Sequence, residues 1–147
     1  MKIIRLTPHS PYCKEFENES LLHFTWLGDM SGLNFHGILV DNTLVARVAW
    51  QLDPTWCSEP DVLGIATLET LPRFRCQGFG QALVNYLRAA YPEKPIVFEV
   101  NSPFAYHFWQ RYRPVYLGRG RGAASLYKIP PLTVCPPDSQ LARAGHF

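Results

Sequence analysis

The chain lacks a long apolar run: nothing reaches the roughly 18 consecutive apolar residues that a membrane helix needs. Its first residues, Met-Lys-Ile-Ile-Arg-Leu-Thr-Pro, hold no apolar segment of the signal-peptide kind. Cysteine is sparse. Cys13, Cys57, Cys76 and Cys135 form no Cys-x-x-Cys pair and share no ligand spacing with histidine, so the thiols read as reduced and no metal is expected. The five histidines share no spacing with one another. A charge of one sign is missing too: the net +2 is too small to mark a nucleic-acid or membrane surface by itself. Repeats and internal linkers are absent. These absences leave a soluble, cytoplasmic protein with no membrane partner, and 147 residues suit one domain with one sizeable core.

What is present alternates strand and helix patterns. Lys2–Leu6 is a short β-like run, Ser10-Pro11 reads as a helix start, and a second helical piece covers about 20–27. Phe35–Val40 and Leu44–Leu52 flank Asp41-Asn42-Thr43 as a hairpin. A loop from Asp53 to Asp61, with Trp56 exposed, leads to a strand over Val62–Leu71. A helix over Phe79–Ala90 follows, with Leu83, Val84 and Leu87 at helical spacing. Pro95–Val100 is a compact strand. Ser102-Pro103 starts a helix rich in aromatics that ends near Arg113-Pro114. Val115–Leu117 and Ser125–Ile129 form a last hairpin around Gly118-Arg119-Gly120-Arg121-Gly122, a run whose other reading is RNA contact. The domain spans 1–130, and 131–147 is a proline-containing tail. The order gives a mixed α+β domain.

One stretch promises chemistry. Arg75-Cys76-Gln77-Gly78-Phe79-Gly80-Gln81 lies where a strand gives way to a helix. Glycines there let an anion approach backbone N–H groups, the helix start adds unpaired donors and positive dipole, and Arg75 adds a formal charge. The other reading is a surface turn whose glycines only cap the helix.

Arg75 to Gly80 resembles the Arg/Gln-x-x-Gly-x-Gly/Ala signature of the GNAT N-acetyltransferase superfamily at every defined position. Leu68-Glu69-Thr70-Leu71-Pro72 before it and Gln81-Ala82-Leu83 after it resemble the family's flanks, and Ser102-x-x-Ala105-x-x-Phe108-Trp109 resembles its later Asn-x-x-Ala-x-x-Leu/Phe-Tyr/Trp helix. The resemblance covers about residues 1–129 and is most specific over 62–113. It implies a three-layer-like acyl-CoA N-acyltransferase fold: a mixed sheet of about six to seven strands with splayed fourth and fifth strands, flanked by about four helices. It implies acetyl-CoA as the acyl donor, with pyrophosphate on the backbone of Cys76, Gln77, Gly78, Phe79, Gly80 and Gln81. Pantetheine would pair with Leu68 and Thr70, and Asn101 or Ser102 would contact it. An amide near Thr70 would polarise the thioester carbonyl.

The catalytic residues stay open. Glu99, the one charge in an apolar strand, is the first candidate for the base that takes the amine proton; the other reading pairs it with Arg111 or Arg113. Glu69 is a second candidate, or a solvated residue on the outer face. Trp109 stands where many relatives have a tyrosine acid; Tyr106 or Tyr112 could substitute, or the thiolate could leave unassisted into solvent, and the other reading of each tyrosine is a core role. Cys76 contributes only its backbone. The reading is an N-acetyltransferase acting on a primary amine in a ternary complex. The acceptor is a small molecule, a protein amine or an aminoacyl-tRNA, and a homodimer is possible. The alternative is a non-catalytic CoA-binding module.

Overall fold

Asp41 (φ 50°) and Asn42 (φ 64°) close the first long hairpin. Short Asx side chains tolerate this left-handed conformation, and a right-twisted hairpin requires it. The turn joins β2 (Asn34–Val40) to β3 (Thr43–Leu52), and β1 (Lys2–Arg5) pairs with the outer edge of β2. The computed structural model describes residues 1–7, 10–20 and 32–132. Its remaining elements are α1 (Tyr12–Glu19), β4 (Leu63–Thr70), α2 (Phe79–Ala90), β5 (Ile96–Val100), α3 (Pro103–Trp109), β6 (Val115–Arg119) and β7 (Ser125–Ile129). Short 3-10 turns lie at Pro72–Phe74 and Gln110–Tyr112. The strands form one mixed seven-stranded sheet in the order β1-β2-β3-β4-β5-β7-β6, antiparallel throughout except for β4 beside β5. Three α-helices are described rather than about four; the helical piece expected at 20–27 falls largely outside the described residues, as does the tail from 133 onward.

Both faces of the sheet are covered, which is why β3 reads as an almost unbroken apolar run. Ala46, Val48 and Trp50 pack with Leu83, Val84 and Leu87 of α2 and Trp109 of α3. On the opposite face Phe35, Leu39 and Ala49 meet Cys13 and Phe16 of α1. The helix starts differ from one another. Ser102 Oγ accepts from Ala105 N at 3.1 Å and caps α3, with Pro103 in the first turn. Ser10 does not cap α1 in this way: its hydroxyl accepts from Thr7 N at 2.9 Å, and Pro11 occupies the cap position. Arg113 (φ 52°) then ends the turn after α3, ahead of Pro114.

The splay of β4 from β5 has a local cause. Across β3–β4 the register runs Arg47↔Glu69, Val48↔Leu68, Ala49↔Thr67 and then Trp50↔Ile65. Ala66 is therefore the extra residue of a bulge, which bends the strand carrying it. On its other edge β4 pairs with β5 only at Leu63↔Ile96, Gly64↔Val97 and Ile65↔Phe98. Past the bulge, Ala66–Thr70 leaves Glu99 and Val100, and a gap opens within the sheet. The bulge also resets side-chain parity, so Ile65 and Leu68 both pack on the α2 side while Ala66 packs on the α1 side.

Candidate active site

The gap is a cleft of ≈ 680 Å³. Six consecutive β4 residues, Ile65 to Thr70, line it. Neighbouring side chains of a strand point to opposite faces, so the cleft passes through the plane of the sheet rather than lying on one side. Phe98 and Glu99 of β5, Asn101, Ser102 and Trp109 form the other wall.

A second, smaller pocket of ≈ 170 Å³ lies at the start of α2 and shares Thr70, Arg75, Phe104 and Phe108 with the cleft. Gly78 (φ 87°) is the residue before α2, no side chain caps it, and the first intrahelical bond runs from Ala82 N to Gly78 O at 2.9 Å. The N–H groups of Phe79, Gly80 and Gln81 thus lead the helix with no partner within it, at the positive end of its dipole. The two glycines have different reasons. A Cβ at Gly78 would meet nothing within 4 Å, so Gly78 serves the left-handed turn. A Cβ at Gly80 would lie 3.2 Å from Phe108 Cε1, so Gly80 lets α3 come close. Arg75 donates from Nε to Thr70 O at 3.4 Å and lies over the Phe104 ring at 5.1 Å. Arg111 donates to Gln81 Oε1 at 2.7 Å, and His107 lines the same pocket. Gln77, by contrast, is exposed and donates to Arg73 O at 3.5 Å. The thiol of Cys76 is exposed.

The two carboxylates both reach the cleft, each already paired. Glu99 Oε2 accepts from the backbone N of Arg121 at 2.6 Å, and Oε1 accepts from Arg121 Nε at 2.9 Å and Nη2 at 2.8 Å. Its partner is thus Arg121 of the last hairpin, not Arg111 or Arg113. Glu69 is 6% exposed, which corrects the solvated outer-face reading. Ser20 Oγ lies 2.9 and 2.8 Å from its two oxygens, and Arg47 Nη2 is at 3.3 Å. Arg47 is itself 1% exposed, lies over the Phe16 ring at 4.4 Å and pairs with Glu17 at 3.6 Å. Burial draws its pKa down while Glu69 and Glu17 pull it back up.

Neither tyrosine lines the cleft. The Tyr112 hydroxyl turns away to Asn85 Oδ1 at 3.1 Å, and burial pushes its pKa up to about 12. Tyr106 is exposed and packs against Tyr127 at 6.1 Å. Trp109 is a wall: its ring stacks on Phe98 at 3.8 Å. Ser102 lines the cleft while capping α3, and Asn101 lines it from an exposed position. Trp56 is only half exposed, because Pro54 and Trp56 fold over Gly64.

Sequence reading missed Arg47 and Arg121. The signal for Arg47 was the one used for Glu99, a lone charge within an apolar strand. Arg121 stands out locally only as part of the Gly118–Gly122 run, and nothing local marks its pairing with Glu99, which lies 22 residues away.

The sequence profile described as "Acetyltransferase (GNAT) family" matches residues 2–113. The chain belongs to the GNAT family. Solved structures agree on the fold. An acetyltransferase from Thermus thermophilus superposes with a TM-score of 0.71 at 15% identity, over 88% of this chain and 97% of that one. The Bacillus subtilis N-acetyltransferase YlbP, in complex with coenzyme A, gives 0.65 at 21% over 88% and 96%. The ribosomal-protein-S18-alanine N-acetyltransferase of Escherichia coli gives 0.67 at 16% over 90% and 95%. Among curated proteins, none matches the chain. Among the described residues, no helix of this GNAT protein is long and apolar enough to cross a membrane.

Proposed function

We propose that the chain is an N-acetyltransferase that moves the acetyl group of acetyl-CoA to a primary amine by direct attack in a ternary complex. One observation carries the reading: an anion cradle at the start of α2 opens, at Thr70, Arg75, Phe104 and Phe108, into a cleft that passes through the sheet. A long ligand with phosphates at one end and a reactive group at the other fits that shape. The phosphates would rest on the N–H groups of Cys76 to Gln81, with Arg75 and Arg111 supplying charge. The pantetheine would lie along the freed edge of β4 at Leu68 and Thr70, with Asn101 and Ser102 opposite. An edge N–H near Thr70 would polarise the thioester carbonyl.

The amine enters from the α1 face, where Glu69 and Glu99 stand. Its nitrogen bonds to the carbonyl carbon, the C–S bond breaks, and CoA leaves as the thiolate, which takes a proton from solvent. The nitrogen proton goes to a carboxylate. Glu99 suits that task better than Glu69. Arg121 has a side chain 61% exposed and can move off Glu99 into water. Arg47 cannot leave Glu69 without becoming a buried, poorly compensated cation, at a cost of several kcal/mol. Glu69 therefore holds the wall of the cleft, and Glu99 takes the proton.

The test is acetyl-CoA consumption against an amine panel, alongside calorimetric CoA binding. Glu99→Gln should lower kcat by about 10²-fold or more while CoA affinity stays unchanged. The absence of any tyrosine hydroxyl from the cleft, among the described residues, favours a second reading as a CoA-binding module without catalysis. CoA binding with no consumption across the panel would select it.

A further inference from the structure

We propose that Arg121 is a specificity-determining residue that reads a carboxylate on the acceptor, so that the amine entering the cleft is a small molecule carrying its own carboxylate. This inference rests on the acyl-transfer reading above.

The acceptor side of the cleft carries carboxylates with cationic partners in place. Glu69 and Glu17 share Arg47, at 3.3 and 3.6 Å. Glu59, on the loop that covers this face, pairs with Lys128 at 2.6 Å. Glu99 pairs with Arg121 at 2.8 Å. Four carboxylates thus share three cations, and among the described residues a polycationic acceptor would meet none of these carboxylates without a cation already in place. Arg121 is exposed and lines the cleft.

Three elements fix Arg121 there. From β5, Glu99 takes its backbone N–H and one edge of its guanidinium, through Nε and Nη2. From the β3–β4 loop, Trp56 lies under the guanidinium at 5.1 Å and orients its plane. From its own hairpin, Gly120 N→Ala124 O at 2.9 Å and Ala124 N→Arg121 O at 3.1 Å close the turn. Gly120 lies so close to Glu99 that a side chain there would strike the carboxylate, so the hairpin is shaped to seat Arg121 on it.

A guanidinium has more N–H donors than one carboxylate edge uses, and its planar fork suits a second carboxylate. A carboxylate a few bonds from the acceptor amine would dock on the outward edge of Arg121 and leave the amine over the gap. It would also compete with Glu99 for the guanidinium, loosening the hold on Oε1 just as the amine proton needs an acceptor.

The experiment compares acetyl-CoA consumption with L-amino acids, their C-terminal carboxamides and spermidine, in the full chain and in Arg121→Ala and Arg121→Lys. Free acids should exceed their amides by about tenfold in kcat/KM, the size of one charge-assisted contact. Arg121→Ala should bring that ratio close to one, and Arg121→Lys should restore part of it. A preference for spermidine, or a ratio unchanged in Arg121→Ala, overturns the proposal. Should no amine consume acetyl-CoA, the catalytic reading falls and the carboxylate reading is decided by binding. With CoA present, N-acetyl amino acids should change tryptophan fluorescence in a saturable way, their amides should not, and Arg121→Ala should abolish the response. An equal response to both, or none, overturns it.

Discussion

Trp50 Nε1 donates to His36 Nδ1 at 3.0 Å across the β2–β3 pair, and the imidazole stacks with Trp50 at 6.0 Å and tilts against Tyr86 at 5.3 Å. This bond requires Nδ1 to be an acceptor, so the fold needs the neutral ring. Burial, and secondarily Arg5, hold the pKa of His36 below its ordinary value of 6.5. The sign follows from linkage. As pH falls below 6.5, the unfolded chain takes up the proton before the folded one does. The stabilisation is therefore complete above that value and is lost as pH falls through the folded pKa. The melting temperature should drop by a few degrees between about pH 7 and pH 5, and His36→Gln, which cannot titrate, should flatten that part of the profile. An unchanged slope in the variant would assign the pH dependence to other groups.

At the scale of elements, the strand–loop–helix unit of β4 and α2 makes the site, and its two glycines can be separated. Gly78→Ala puts a Cβ into open space but at φ 87°, so it should cost about 1 kcal/mol of stability and change CoA affinity little. Gly80→Val presses on Phe108, 3.2 Å from the position of the Cβ, at the junction of the two pockets. It should weaken CoA binding by about tenfold, a loss of about 1.4 kcal/mol, with the midpoint of thermal unfolding and the calorimetric Kd as the two readouts. The loop was legible in the sequence because its chemistry is local: a turn, a cap and a helix start occupy seven neighbouring residues. So were the strands, whose apolar runs announce burial on both faces. The bulge at Ala66 was not, since it is defined by the register of β4 against β3. The pairing of Glu99 with Arg121 and of Glu69 with Arg47 and Ser20 was hidden for the same reason. The position of Tyr112 along the helix leaves acid and core roles open, and the direction of its hydroxyl toward Asn85 selects the core role.

Across the whole molecule, the site has a cationic end and a cleft that combines apolar walls with the charges of Glu69, Glu99 and Arg121. The cations Arg75 and Arg111 stand at the α2 end, while the arm of the cleft beyond them is walled by Ile65, Leu68, Phe98 and Trp109. With a net charge of only +2, the chain has no broad positive field to draw in a polyanion, so phosphate affinity must come from this local cluster. Arg111 is exposed and Arg75 half-buried, and charges that reach solvent are screened by salt within roughly 8–10 Å at physiological ionic strength. Raising salt from low to about half molar should then weaken CoA binding by roughly three- to tenfold. Pantetheine, which lacks the phosphates, should bind weakly and with little salt dependence, because it engages only the strand edge and the apolar walls. Arg75→Ala should bring the two ligands closer in both affinity and salt slope. Were CoA and pantetheine to share one salt dependence in the unmodified chain, the phosphates would not rest on the Arg75–Gln81 loop, and the assignment of the donor end would fail there.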